Sequence, residues 1–190
     1  MILAAGAVYY FVFQKKTISL YTNSSPSPVE SVQPVPVSPT PSSKSDPTAS
    51  WKTYTNSVQN YSFKYSPDWS ADLSQANLDP NSFLVLTRDQ VKLRVDANMY
   101  GIGGVGQDFQ GTKTTVSGIT LYEYKVANSY NNTQMIGITD TLAQSLGLFQ
   151  YKGKTYSISL SYPNSFDQSQ KGADLQKEYD LILSTFKFTN

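Results

Sequence analysis

Asp68 and Asp72 stand four residues apart, the spacing that puts two side chains on one face of a helix. Paired carboxylates can serve as acid and base on a glycosidic bond when their separation is right. Asp79, Asp89 and Asp96 are scattered, and none of these acids opens the D-x-D-x-D-G pattern of a calcium loop. Solvated surface acids are therefore expected. A second candidate is GIGGVG, in which Gly101, Gly103 and Gly106 fit G-x-G-x-x-G. That loop binds a pyrophosphate where a strand leads in and a helix leads out, because the helix N-terminus meets the charge. A strand-like stretch precedes Gly101, but QDFQGTKTTVSG follows, with no helical period. The expectation is a Gly-rich connection between two strands, its glycines permitting positive φ. Lys152 and Lys154 flank a hairpin turn and read as solvated cations. Tyr122, Tyr124, Tyr151, Tyr156 and Tyr162 fall in strand-like stretches and read as core and cross-strand pairs rather than a sugar platform. Asn23, Asn60 and Asn131 open N-x-S/T sequons, which chance supplies in a chain so rich in Asn and Ser.

Composition removes other chemistry. The chain has no Cys and no His. Zinc sites of Cys and His, a Ser-His-Asp triad, a Cys nucleophile and a His general base are all excluded. Disulfides are excluded too, although that leaves the compartment open. Net charge is +1, so no basic field is available to hold nucleic acid. Charged residues make up 15% of the chain, against about 25% in ordinary globular proteins. No catalytic, cofactor-binding or metal residue is assigned, and no cofactor is expected.

These residues sit in a chain of three segments. Residues 1–16, MILAAGAVYYFVFQKK, are apolar or aromatic from Ile2 to Phe13 and end on Lys15 and Lys16. The run is shorter than the roughly 20 residues a span needs, and no basic residue precedes it as in a signal peptide. LAAG resembles a lipoprotein signal without the Cys. The expectation is an N-terminal membrane anchor whose true start lies upstream of Met1; a short buried or disordered tail is the alternative. Residues 17–50 hold Pro26, Pro28, Pro34, Pro36, Pro39, Pro41 and Pro47, with many serines. Proline lacks the helical donor and restricts its predecessor, and few large apolar residues are present to pack. This is read as a disordered, partly polyproline linker reaching at most roughly 100 Å. Pro36 and Pro39 alone have PxxP spacing. Residues 51–190 are read as the globular domain, long enough to bury a core.

Within the domain, WKTYTN (51–56), YSFKYS (61–66), FLVLTR (83–88) and VKLRVDANMY (91–100) alternate as strands do, with Val91, Leu93, Val95 and Ala97 on one face. KTTVSGITLYEYKVA (113–127) reads as two strands about Ser117-Gly118, and TQMIGITDTL (133–142) as another. LFQYKGKTYSISLSYP (148–163) is a hairpin turning at Lys152-Gly153. Leu175, Tyr179 and Ile182 predict a helix over 167–184, with Phe186 continuing its apolar face and Gly172 weakening its start. STFKFTN reads as a short terminal strand or extended tail. A second helix is expected near 68–77, capped by Ser66 or Asp68.

Two stretches carry a family resemblance. NYSFKYSPDW (60–69) resembles the opening motif of PsbP-like domains through Tyr61, Phe63, Tyr65, Pro67 and Trp69. EYDLILSTFKF (178–188) resembles their closing motif through Leu183, Phe186 and Phe188, and YKGKTYSISLSYP resembles the strand pair before their last helix. Ser66, between Tyr65 and Pro67, departs from the family pattern. The resemblance implies an α+β fold, an antiparallel β-sheet flanked by helices in an α/β/α sandwich. It also implies the company of photosystem II extrinsic subunits and of domains acting as assembly factors or adaptors. Members that hold metal do so through His and carboxylates, and that role does not transfer to a chain without His. The expected function is a membrane-tethered, extracytoplasmic, non-enzymatic binding or assembly module. Its partner would be a protein or envelope component, with the membrane reached through the N-terminal segment. The alternatives are a hydrolase or small-ligand enzyme using carboxylates or Tyr, and a structural spacer.

Overall fold

Large apolar residues recur at every second position in VKLRV and in YSISLSY, and burial follows the alternation. The computed structural model describes residues 45–100 and 105–189. In chain order its elements are β1 (Lys52–Asn56), β2 (Tyr61–Tyr65), β3 (Ser70–Asp72), β4 (Ser82–Arg88), β5 (Val91–Ala97), β6 (Gly111–Val116), β7 (Ile119–Asn128), β8 (Thr133–Thr139), β9 (Phe149–Tyr151), β10 (Lys154–Pro163), α1 (Asn164–Asp167), α2 (Gln170–Thr185) and β11 (Lys187–Phe188). An eight-stranded sheet runs β3-β4-β5-β10-β8-β7-β6, with β9 paired to the start of β10. A three-stranded sheet runs β1-β2-β11.

The β9–β10 hairpin turns at Lys152 and Gly153, whose φ values of 46° and 77° are the paired left-handed conformations of a tight hairpin turn. β10 is the centre of the large sheet. It pairs antiparallel with β5 along one side and with β9 and then β8 along the other. Its Tyr156, Ile158, Leu160 and Tyr162 point into the core, with Leu84, Leu86, Leu93 and Val95 from β4 and β5. Across that core lie α2 and the small sheet. Ser169 caps α2 by accepting the Gly172 N–H. Leu175, Tyr179, Ile182 and Leu183 form its buried stripe. The Tyr179 hydroxyl donates to the Ile158 carbonyl at 2.8 Å and so fixes the helix against β10. Phe186 stacks on Tyr61 and Phe63, with centroids 5.4 and 5.9 Å away.

The expected helix over 68–77 is not there. Ser70–Asp72 pairs as β3 with Val85–Thr87, and turns follow it. A long-range network overrides the local capping signal. Arg88 lies over the Trp69 ring, 4.5 Å from its centroid. It donates to Asp68 at 2.7 Å and, through both terminal nitrogens, to Glu178 of α2 at 3.0 and 2.5 Å. The Trp69 indole N–H donates to the same Glu178 carboxylate at 2.8 Å. The helix predicted over 167–184 is α2, which starts at Gln170 after its cap Ser169; the short α1 before it overlaps the predicted range only at Asp167.

The α/β/α arrangement is seen only in part. Among the described residues both helices lie on the core side of the large sheet, and no helix covers its other face. That face carries Lys92 and Arg94 on β5, Ser159 and Ser161 on β10, and Met135 on β8. What stands is an α+β fold dominated by antiparallel sheet. At the N-terminal side, Thr48 is buried and the Lys64 ammonium reaches its carbonyl at 3.4 Å and the Asp46 carboxylate at 3.6 Å. Ordered packing therefore starts before Trp51. The anchor expected over 1–16 and nearly all of the expected linker lie outside the described residues. No helix among the described residues is long and apolar enough to cross a membrane.

Removing one member of the Arg88 network leaves the others partly buried and short of a partner. Glu178→Gln is expected to lower stability by about 2 kcal/mol. Asp174→Asn, which removes an exposed contact to Lys177, is expected to change it by less than about 0.5 kcal/mol. Urea unfolding monitored by Trp fluorescence measures both, and equal midpoints would refute the network's role.

Candidate functional site

The uncovered face of the large sheet holds a groove of about 650 Å³. Its floor is read directly from the strand register. Lys92 stands opposite Ser161, Ser161 opposite Met135, and Met135 opposite Val126, one row across β5, β10, β8 and β7. The neighbouring row is Arg94, Ser159, Gly137 and Tyr124. The floor thus grades from cationic on β5, through hydroxyls on β10, to apolar on β8 and β7. The β7–β8 turn adds Asn128 and Asn131 at one end, and Gln107 adds an amide at the other. Among the described residues no carboxylate lines it. Arg94 is already engaged, gripping Asp96 at 2.7–2.9 Å and lying 4.8 Å from the centroid of the Phe83 ring. Lys92 is exposed and has no acidic partner among the described residues.

The wall beside Gln107 is built, not draped. Phe109 stacks on Tyr124 with centroids 4.0 Å apart, on the face opposite the main core. Gln107 and Ser145 exchange backbone hydrogen bonds of 2.9 and 2.8 Å. Tyr124 fits because Gly137 and Gly147 carry no Cβ; a methyl at either position would strike its ring or hydroxyl. Burial pushes the Tyr124 phenol up to about 12. The serine hydroxyl of Ser145 bonds with Thr139 at 2.7 Å and accepts the Gly147 N–H at 3.0 Å, pinning the other side of the wall.

This settles part of the GIGGVG question. Residues 101–104 lie outside the described residues, but Gly106 is placed. Its role is close approach rather than positive φ, since a Cβ there would collide with the Gln144 carbonyl. The segment after it leads into strand β6, not a helix, so the geometry that binds a dinucleotide is missing.

The candidate acids are dispersed. Asp68 belongs to the Arg88 network. Partial burial raises its carboxyl, but the Ser66 hydroxyl and Arg88 outweigh that and hold it below its ordinary range. Asp72 accepts the Ser74 N–H and lies apart. Asp79 bonds with Asn98 and Asp96 with Arg94. Of the tyrosines, Tyr156 and Tyr162 are core, Tyr124 forms the wall, and Tyr122 and Tyr151 are half-buried. Lys154 donates to the buried Gln59 at 3.0 Å, and Lys152 lies 5.6 Å from the Tyr151 ring centroid.

One carboxylate pair had no signal in the sequence. Glu123 of β7 faces Asp180 of α2, and the Gln176 amide donates to both, at 2.8 and 3.1 Å. Burial, and then the nearby Asp180 charge, push Glu123 up to about 7. The pair lies in the seam between helix and sheet, on the side away from the groove. Among the described residues no three Cys, His, Asp or Glu side chains gather as a metal would require.

Two outcomes follow. Gly137→Ala should lower stability by about 1–3 kcal/mol by driving a methyl into Tyr124, and should loosen the groove wall, seen as loss of near-ultraviolet dichroism. The folded chain holds the Glu123 proton more tightly than the unfolded chain between about 4.5 and about 7. Stability should therefore fall as pH rises through that window. Glu123→Gln should flatten that slope and raise the melting temperature above pH 7; an unchanged profile would show that the pair does not share a proton.

No family model matches this chain, and no curated protein matches it. Among solved structures it is similar to a crystal structure of a Bacteroides thetaiotaomicron protein, at 12% identity and a TM-score of 0.46, over 73% of this chain and 48% of that one. The chain thus spans about half the length of that protein. It is similar at 11% identity, and again a TM-score of 0.46, to the solution structure of cyanobacterial PsbP from Synechocystis, over 73% of this chain and 92% of that one. The structural neighbours of this chain include a protein of the family that residues 60–69 and 178–188 resemble.

Proposed function

We propose that the chain is a membrane-tethered, extracytoplasmic, non-enzymatic binding module that takes a protein or envelope component on the open face of its large sheet. The observation that carries this reading is the groove itself. It has a walled edge, a graded floor and, among the described residues, no carboxylate to do acid–base work. The apolar run from Ile2 to Phe13 and the Pro/Ser-rich stretch behind it support the tether. Balanced charge argues against a nucleic-acid partner. The hydrolytic alternative draws on Glu123 and Asp180, but Gln176 spans the two and they do not open on the groove.

A photo-reactive residue placed at Ser161, inside the groove, is expected to cross-link the partner in the native membrane. The same group at Asp174, on the exposed side of α2, is expected not to. Capture from Asp174 alone would move the binding surface to the helix and overturn this reading.

A further inference from the structure

We infer that the groove binds an extended peptide segment that presents an acidic side chain to Lys92 and an apolar side chain to Met135 and Val126. This deepens the reading of the groove as the binding surface and rests on it. Arg94 already holds Asp96 with two of its nitrogens, whereas Lys92 beside it has no counter-charge among the described residues. A carboxylate arriving over β5 therefore meets one free ammonium, with the outer edge of a guanidinium next to it.

The spacing of the floor fits an extended chain as well. Lys92, Ser161, Met135 and Val126 form one row across four adjacent strands. Strands lie about 4.8 Å apart, so the outer two positions are about 14 Å apart. An extended peptide advances about 3.3 Å per residue and turns alternate side chains to one face. Residues i, i+2 and i+4 then span about 13 Å and point at the floor together. The matching pattern is acidic at i, small and polar at i+2 over the serines, and apolar at i+4. The groove has no aromatic side chain in this row for a sugar ring to stack on, which disfavours a saccharide occupant.

The test uses the full chain in detergent and a fluorescein-labelled peptide, Glu-Gly-Ser-Gly-Leu, read by anisotropy. Binding is expected to weaken at least about tenfold when the peptide's Glu becomes Gln, when the chain carries Lys92→Glu, and when salt is raised. The Lys92→Glu chain should instead take up Lys-Gly-Ser-Gly-Leu, a gain that a misfolded variant would not show. Binding that ignores Lys92→Glu overturns the inference. So does no peptide binding by a chain that still cross-links a partner from Ser161; that result would leave the groove as the binding surface and remove only its acidic peptide. Failure of both experiments would sink the groove reading with it.

Discussion

Arg88 ties together three parts of the chain that are distant in sequence. Its guanidinium sits on Trp69 and takes Asp68 from the turn after β2, while its two terminal nitrogens hold Glu178 of α2. The pair is mostly withdrawn from water, with side-chain exposures of 23% and 16%. An ion pair in that setting offsets its desolvation only through complete hydrogen bonding. The Trp69 indole N–H supplies the further bond to Glu178. The turn at Pro67–Trp69 is thereby held beside the last helix, and β3 is delivered to the edge of the large sheet. The core is closed by α2 and the small sheet together, so the position of α2 decides whether the Tyr61–Phe63–Phe186 stack can form.

Putting both helices on one side has a consequence for the other. An antiparallel sheet can face water on one side, and a Lys-, Ser- and Thr-bearing face is the ordinary result. Here that face is interrupted by a second, smaller apolar contact, Phe109 on Tyr124, outside the main core. Tyr124 departs from the usual division along β7, where Leu121 and Glu123 face the helix and Tyr124 faces away yet is buried. The contact exists because two glycines from different segments leave room for one ring.

The strands were legible because alternation is a local signal. Leu93 and Val95, or Ile158 and Leu160, declare their face within five residues. The last helix was legible from Leu175, Tyr179 and Ile182 for the same reason. What failed was whatever depended on a distant partner. Asp68 has the residue type of a helix cap, but its carboxylate goes to Arg88, twenty positions on. Between Glu123 and Asp180 lie the rest of β7, three whole strands, α1 and part of α2, and no spacing rule brings the two together. Gly137 and Gly147 read as ordinary strand and loop residues until Tyr124 is placed between them. Gly106 was visible as part of a motif, but the reason for it, the Gln144 carbonyl, lay in another segment.

The difference between a solvated sheet face and a binding surface comes down to what the wall is for. An exposed lysine beside two serines keeps a sheet in solution and needs no explanation by itself. Here, in addition, a loop is fixed at the edge of that face by contacts that bury apolar surface of their own. In this chain the loop is held by an aromatic stack, a pair of reciprocal backbone hydrogen bonds and two positions that exclude a side chain. Glycine within a strand weakens it, so Gly137 in β8 carries a cost of its own. Tyr124 lies in the row next to Lys92 and Val126, so the same residues that bury the tyrosine also set the edge of the groove. That shared dependence is the physical reason to treat the wall and the graded floor as one surface rather than as two accidents of packing.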